Sequence, residues 1–189
     1  MRTFSSLVFI CLITGCGPAA LEPVHVRLAP SVPIVSVDIG RGAKLFLRVA
    51  DARPEKIAVA QNKANALILP VNDVVSLFHE LLTKRLSALG FELLIAPDAL
   101  STRLDVALQK LAYGRYSTTP PRVHIDASLT VALYKNNTRV IDKNYSKTYE
   151  EVSPSMGLSP SWFEDKTNTV LSQLIEKLLS DLELLAALK

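Results

Sequence analysis

The segment RVHIDASLTVALYK, residues 122–135, constrains the fold of this chain most, because apolar and polar residues alternate along it. Successive side chains of an extended strand point to opposite faces, so the apolar residues of this segment line one face. A strand with a single apolar face predicts a sheet that is covered on one side and exposed to water on the other. The apolar set is Val123, Ile125, Ala127, Leu129, Val131 and Leu133.

Further alternating segments lie on both sides of this strand. RVIDKNYSKTYEEV, residues 139–152, follows after the short polar turn Asn136–Asn137–Thr138. A turn this short joins strands that pair with each other in opposite directions. The segments at 44–51 and 103–117 also have strand character, so we expect a mostly antiparallel sheet.

Two amphipathic helices are predicted from apolar residues that recur at spacings of three and four. The first covers residues 72–89 and is followed by Gly90, which suits a left-handed stop. The second begins with Ser159 as cap and Pro160 in the first turn, and it continues to Lys189. Its apolar stripe could pair with a second chain in a coiled coil, but we expect it to cover the sheet of its own domain.

These elements predict an α+β fold, in which two amphipathic helices pack on one face of a mostly antiparallel β-sheet in the order β-α-β-β-β-α. The content of 49% hydrophobic and 21% charged residues is that of an ordinary globular domain. A net charge of +3 with scattered Lys and Arg argues against a nucleic-acid partner. Because His25, His79 and His124 lack the spacing of metal ligands, we expect neither a metal nor another cofactor.

The first fifteen residues have the layout of a secretory signal peptide. Arg2 gives a positive start, residues 4–13 are mostly apolar, and the small pair Thr14–Gly15 follows. The apolar run is too short to span a bilayer, which takes about 20 residues. We therefore predict that residues 1–15 are a signal peptide.

The residues Ile13–Thr14–Gly15–Cys16 resemble the bacterial lipobox. This resemblance implies that a dedicated peptidase cuts before Cys16 after a diacylglycerol has been attached to its sulfur, and that Cys11 is discarded. Several inserted acyl chains hold a protein durably on a membrane. A Cys11–Cys16 disulfide and an uncleaved anchor are the alternatives. Gly17 in place of Asp after the cysteine favours the outer membrane, with the domain facing the periplasm.

Residues 16–42 are rich in proline, and we interpret them as an extended tether from the lipidated cysteine to a single domain at 43–189. The alternative is that a part such as VPIVSVDI, residues 32–39, packs on the domain as an edge segment.

No catalytic motif is found. The chain lacks GxSxG, SxxK and a glycine-rich phosphate loop, and it has only seven glycines. Glu150 and Glu151 are neighbours on a strand and point to opposite faces, which does not suit a paired acid and base. We therefore expect a protein that is not an enzyme.

Two places are candidates for binding a partner. Asp51 and Arg53, two residues apart at a strand end, form either a polar recognition point or an ion pair that locks the turn. Met156, Trp162 and Phe163 form either an exposed partner-binding loop or an apolar contact of the last helix with the core.

In combination these features resemble the YajG family of bacterial lipoproteins. The resemblance is carried by the lipobox, VADARPE, VSLFHELLTKRLSALGFEL, LQKLAYG, KNYSKTYEE and the long terminal helix. It implies an outer-membrane lipoprotein of uncertain molecular role. We expect a binding or accessory module for another envelope component, or alternatively a carrier of a lipid or other apolar ligand. A carrier requires an apolar cavity between helix and sheet, whereas a docking module requires an exposed apolar patch.

Overall fold

The computed structural model describes residues 23–33, 37–54, 60–61, 67–97, 102–153 and 159–189. Within these ranges, no helix combines the length and the apolar character that crossing a bilayer requires. The elements in chain order are β1 (Val24–Val26), β2 (Lys44–Asp51), β3 (Ala60–Gln61), β4 (Leu67–Pro70), α1 (Val74–Ala88), β5 (Glu92–Leu94), β6 (Thr102–Tyr116), β7 (Arg122–Lys135), β8 (Thr138–Val152), α2 (Pro160–Leu179) and α3 (Leu182–Ala187).

The main sheet has five strands in the order β5-β2-β6-β7-β8. Strands β6, β7 and β8 form an antiparallel meander, whereas β2 pairs in parallel with β5 and with β6. The parallel β2–β5 pair follows because the crossover helix α1 returns the chain in the same direction. The predicted α+β class with a mostly antiparallel sheet is confirmed. The predicted order β-α-β-β-β-α omits several elements, because four strands precede α1, four strands lie between the two long helices, and α3 follows α2.

One face of this sheet carries the core. All six apolar residues predicted for β7 are buried, and α1 and α2 pack on this same face. Residues paired with this face of β7 are buried in the same core, namely Leu104, Val106 and Leu108 of β6 and Tyr145 of β8. A bulge in β6 between Leu108 and Lys110 shifts the pairing, so the alternation changes parity along this strand. The opposite face of the sheet is polar.

The turn between β7 and β8 has two residues, Asn136 and Asn137, whereas Thr138, which was predicted as part of the turn, is the first residue of β8. Their φ angles are 49° and 61°. Two successive positive φ values define the type I′ turn that fits the right-handed twist of a hairpin, and asparagine tolerates them better than most residues.

The caps of the helices agree with the sequence, but the last helix is shorter than predicted. Gly90 follows α1 with a φ of 84°, and the Ser159 hydroxyl accepts a hydrogen bond from the backbone of α2. The predicted helix to Lys189 is corrected here, because α2 ends at Leu179 and Asp181 caps the separate helix α3. In the sequence, Leu178, Leu182 and Leu185 keep the helical spacing across this break, so periodicity alone does not reveal it, although Leu182 is 80% exposed.

Residues 23–33, which we call the N-terminal strap, pack on the domain. Val26 and Leu28 are buried, and β1 within the strap pairs in parallel with β4 in a small sheet of order β1-β4-β3. The strap thus departs from the tether predicted over residues 16–42. The reason is that its apolar residues alternate as in an edge strand, so that an extended chain, which the neighbouring prolines also favour, can bury them against the domain.

Side chains of α2 also hold the backbone of the strap. Four residues of an α-helix rise about 6.0 Å and two extended residues advance about 6.5 Å, so every second strap N–H meets every fourth helix residue. Residue numbers increase together along both partners, which makes the strap parallel to α2. The pairs are Arg27 N to Glu164 Oε1 at 2.6 Å, Ala29 N to Asn168 Oδ1 at 2.7 Å and Ser31 N to Ser172 Oγ at 2.9 Å.

Candidate functional site

Asp51 and Arg53 form an ion pair at the end of β2. The Arg53 Nε donates to Asp51 Oδ1 at 2.9 Å and its Nη2 donates to Oδ2 at 2.7 Å. The Arg53 backbone N–H donates to the same Oδ1 at 3.1 Å, and Arg53 is only 3% exposed. A guanidinium and a carboxylate that meet through two parallel hydrogen bonds hold each other in one orientation. The pair therefore fixes the turn that leaves β2.

An open groove of about 540 Å³ lies beside this ion pair. It is lined by His25, Asp51, Arg53 and residues 69–75. At its edge, the Asp73 carboxylate caps α1 by accepting hydrogen bonds from Val75 N and from Ser76 N and Oγ. The hydrogen bonds from Ser76 lower the pKa of Asp73 and keep it ionised. The volume is within the range of small-ligand sites, but both carboxylates are already engaged in the fold.

A second candidate is a cluster of aromatic rings at the start of α2, which we call the aromatic patch. It consists of Tyr113, Tyr149, Trp162 and Phe163. Tyr113 lies edge-on to Phe163 with ring centroids 4.9 Å apart and to Trp162 at 6.2 Å. Tyr149 approaches Trp162 at 6.3 Å. Such edge-to-face pairs add to the energy of burial, and the partial exposure of Trp162 makes the patch a surface that a partner could contact.

Glu151 fixes the polar atoms of the aromatic patch. Its Oε1 accepts from Trp162 Nε1 at 2.6 Å, and its Oε2 accepts from the Tyr149 hydroxyl. The hydrogen bond to Glu151 raises the pKa of Tyr149. Glu150 points to the other face of the sheet and pairs there with Arg122 at 2.7 Å, as the alternation of β8 predicts. The role of Glu151 was not predicted, although it lies on the same face of β8 as Tyr145 and Tyr149.

The predicted binding residues thus fall into two separate places. Asp51 and Arg53 lie together where β2 pairs with Leu108 of β6, whereas Trp162 and Phe163 lie together beside Tyr113, further along β6. Phe163 is 3% exposed and belongs to the core, while Trp162 is half-buried. Met156 and Cys16 lie outside the described residues.

The exposed face of the sheet carries a polar cluster around His124. Its ring stacks on Tyr116 at 4.3 Å and lies so close over Gly114 that a side chain there would clash with it. His124 Nε2 is 3.8 Å from the Asp126 carboxylate, beyond hydrogen-bond distance, and this carboxylate accepts a hydrogen bond from Lys110 at 2.7 Å. Across the described residues, no three His, Cys, Asp or Glu side chains come together as a metal site would need.

The chain is similar to known lipoproteins. A family model described as uncharacterized lipoprotein matches residues 30–189. The chain has no significant match among curated proteins. It is similar in fold to the crystal structure of a Xanthomonas campestris protein, with a TM-score of 0.52, 11% identity, and coverage of 82% of this chain and 91% of that chain. A minor lipoprotein from Acinetobacter baumannii gives a TM-score of 0.47 at 11% identity, over 77% and 90% of the two chains.

Proposed function

Because the chain belongs to this family of uncharacterized lipoproteins, we propose that a lipid on Cys16 anchors it in the outer membrane. This membership agrees with the resemblance of the sequence to the YajG family. The folded domain faces the periplasm and acts there, without catalysis, as a binding module for another envelope component. The anchor is supported above all by one observation, namely that a lipoprotein family model matches the chain downstream of a lipobox cysteine.

Replacing Cys16 tests the anchor. Cys16→Ser should abolish incorporation of labelled palmitate and release the protein from the membrane fraction, because the variant lacks the sulfur atom to which the diacylglycerol is attached. Cys11→Ser is the matched control and should retain the label. Density-gradient separation of the two membranes then locates the wild-type protein. Palmitate incorporation into the Cys16→Ser variant would contradict the lipobox, and inner-membrane location would contradict the proposed sorting.

A binding role is supported by the way the interior is filled. The large side chains between sheet and helices are fully buried, among them Leu82 and Leu86 of α1 and Leu171, Leu174 and Ile175 of α2. A ligand carried between helix and sheet would have to displace this packing. The aromatic patch and the groove beside Asp51 instead lie at the surface, which favours docking of a partner over carriage of an apolar ligand.

Site-specific photocrosslinking in cells tests this role. The probe is placed at Ser161, which is exposed next to Trp162, and at Val71, which is exposed on the lining of the groove. Leu182, exposed at the other end of the helical layer, is the control position. We expect a defined crosslinked protein from Ser161 or Val71 and none from Leu182. Equal capture from all three positions, or none from the first two, would contradict a binding site at either surface.

A further inference from the structure

The N-terminal strap determines at which end the chain enters the fold. Because the strap runs parallel to α2, its first residue, Pro23, lies toward the amino-terminal end of that helix. At this end of α2, the Trp162 ring contacts the Tyr113 ring and donates a hydrogen bond to the Glu151 carboxylate. The loop 117–121, which joins β6 to β7, and the last residue of β8 lie at the same end of the sheet as these residues. We call this end, formed by residues 115–122 and Val152, the hairpin end, and the chain enters the fold there.

The covalent chain limits how far this end can be from the lipid. Seven residue steps separate Cys16 from Pro23, and each spans at most about 3.6 Å, so Pro23 lies within about 25 Å of the acylated cysteine. The opposite end of the sheet is the turn at Asn136–Asn137. Strand β7 has 14 residues, which places this turn about 45 Å away along the strand.

The surface of the hairpin end has the composition of a membrane interface. Arg115 is exposed, Tyr116 is 43% exposed, and Val152 at the end of β8 is exposed as well. Tyrosine is enriched where hydrocarbon meets water, and arginine pairs with lipid phosphates in the same zone. The two nearby carboxylates are held by groups of the domain itself, because Glu150 pairs with Arg122 and Glu151 accepts hydrogen bonds from Trp162 and Tyr149.

We propose that the hairpin end, formed by residues 115–122 and Val152, faces and contacts the phospholipid surface in which the lipid of Cys16 is inserted. The sheet then stands away from the bilayer, and the Asn136–Asn137 turn is its outermost point. This inference rests on the proposed anchor at Cys16. It adds which surface of the domain is directed to lipid headgroups, and it attributes that orientation to the short connection between Cys16 and the docked strap.

Energy transfer to labelled lipids tests the orientation. The acylated full-length protein is reconstituted into vesicles of phosphatidylethanolamine and phosphatidylglycerol that contain a headgroup-labelled acceptor. Donor dyes are attached at Ser117→Cys in the hairpin loop or at Thr138→Cys in the opposite turn, both exposed positions. The acylated Cys16 leaves the introduced cysteine as the only thiol. We expect transfer to be several-fold more efficient from position 117 than from position 138.

Three outcomes would overturn parts of this proposal in distinguishable ways. Equal transfer from both positions, or stronger transfer from 138, overturns the orientation even when the protein floats with the vesicles. Protein that does not float overturns the anchor and the orientation with it. Inserting a flexible Gly/Ser segment between Ala19 and Ala20 should bring the two transfer efficiencies together, and an unchanged difference would overturn the role of the short connection.

Discussion

Helix α2 is fastened to β8 at both of its ends, and the two attachments use different chemistry. At its amino-terminal end, the aromatic patch packs rings around Phe163, and the Glu151 carboxylate accepts a hydrogen bond from the Trp162 ring. Beyond its carboxyl-terminal end lies what we call the ionic network, in which Lys143 bonds to Asp181 at 2.8 Å and to Glu183 at 2.6 Å, and the Tyr145 hydroxyl donates to Asp181 at 2.7 Å. The first depends on buried area, whereas the second depends on which groups are ionised.

The ionic network shifts the pKa values of its members in the directions expected for mutual stabilisation. The hydrogen bond from Lys143 is the main reason that the pKa of Asp181 falls to about 2. Burial, followed by the hydrogen bond to Asp181, raises the pKa of Tyr145. The attachment of α3 to the sheet should therefore respond to pH, while the packing around Phe163 should not.

The largest effect is expected from Phe163→Ala at the aromatic patch. Removing a fully buried ring costs about 3–5 kcal/mol, because both its burial and its contacts with Tyr113 are lost. Unfolding in urea measures the change, and Leu182→Ala, which truncates a side chain that is 80% exposed, is the control. A loss no larger than that of the control would show that the patch does not hold α2.

A smaller effect, and one that depends on pH, is expected from Asp181→Asn in the ionic network. The pKa of Asp181 is about 2 in the folded protein, below its ordinary value of 3.8. The ionised carboxylate therefore stabilises the fold fully above pH 3.8, and this contribution is lost as the pH falls toward 2. The variant should be less stable than the wild type by on the order of 1–2 kcal/mol at neutral pH.

The difference between the Asp181→Asn variant and the wild type should shrink between pH 4 and pH 2, as the carboxyl is protonated in both folded and unfolded chains. Urea unfolding at a series of pH values measures it. A difference that stays constant over this range would show that the charge of Asp181 does not carry its contribution.

The sequence predicted these two attachments to different degrees. The buried face of β7 and the helix α1 follow from local periodicity, and the position of large apolar residues near a helix start marks Trp162 and Phe163 as candidates for a contact. The ionic network was not predicted, because Lys143 and Asp181 are 38 residues apart and meet only once the helical layer folds back on β8. Docking of this region was predicted only as an alternative, and at residues 32–39 rather than over residues 23–33, since the backbone donors of the strap find acceptors on α2 that no local pattern reveals.

A third substitution, Glu151→Gln, tests the polar part of the aromatic patch. The amide oxygen can still accept from Trp162 Nε1, but the NH2 group can no longer accept from the Tyr149 hydroxyl, so we expect a loss of about 1 kcal/mol. Trp162 is the only tryptophan of the chain, which makes its emission a direct report on this contact. Unchanged emission together with unchanged stability would contradict the role assigned to Glu151.

The smallest effect is expected from Glu183→Gln, although Glu183 bonds to the same Lys143 amino group as Asp181. Glu183 is 74% exposed at its side chain, whereas Asp181 is 18% exposed. Water and salt screen an exposed ion pair, so its loss should cost less than about 0.5 kcal/mol and less still at high ionic strength. Parallel urea titrations of the two variants measure the contrast. A loss for Glu183→Gln as large as that for Asp181→Asn would mean that the number of charges around Lys143, rather than their burial, sets the strength of this attachment.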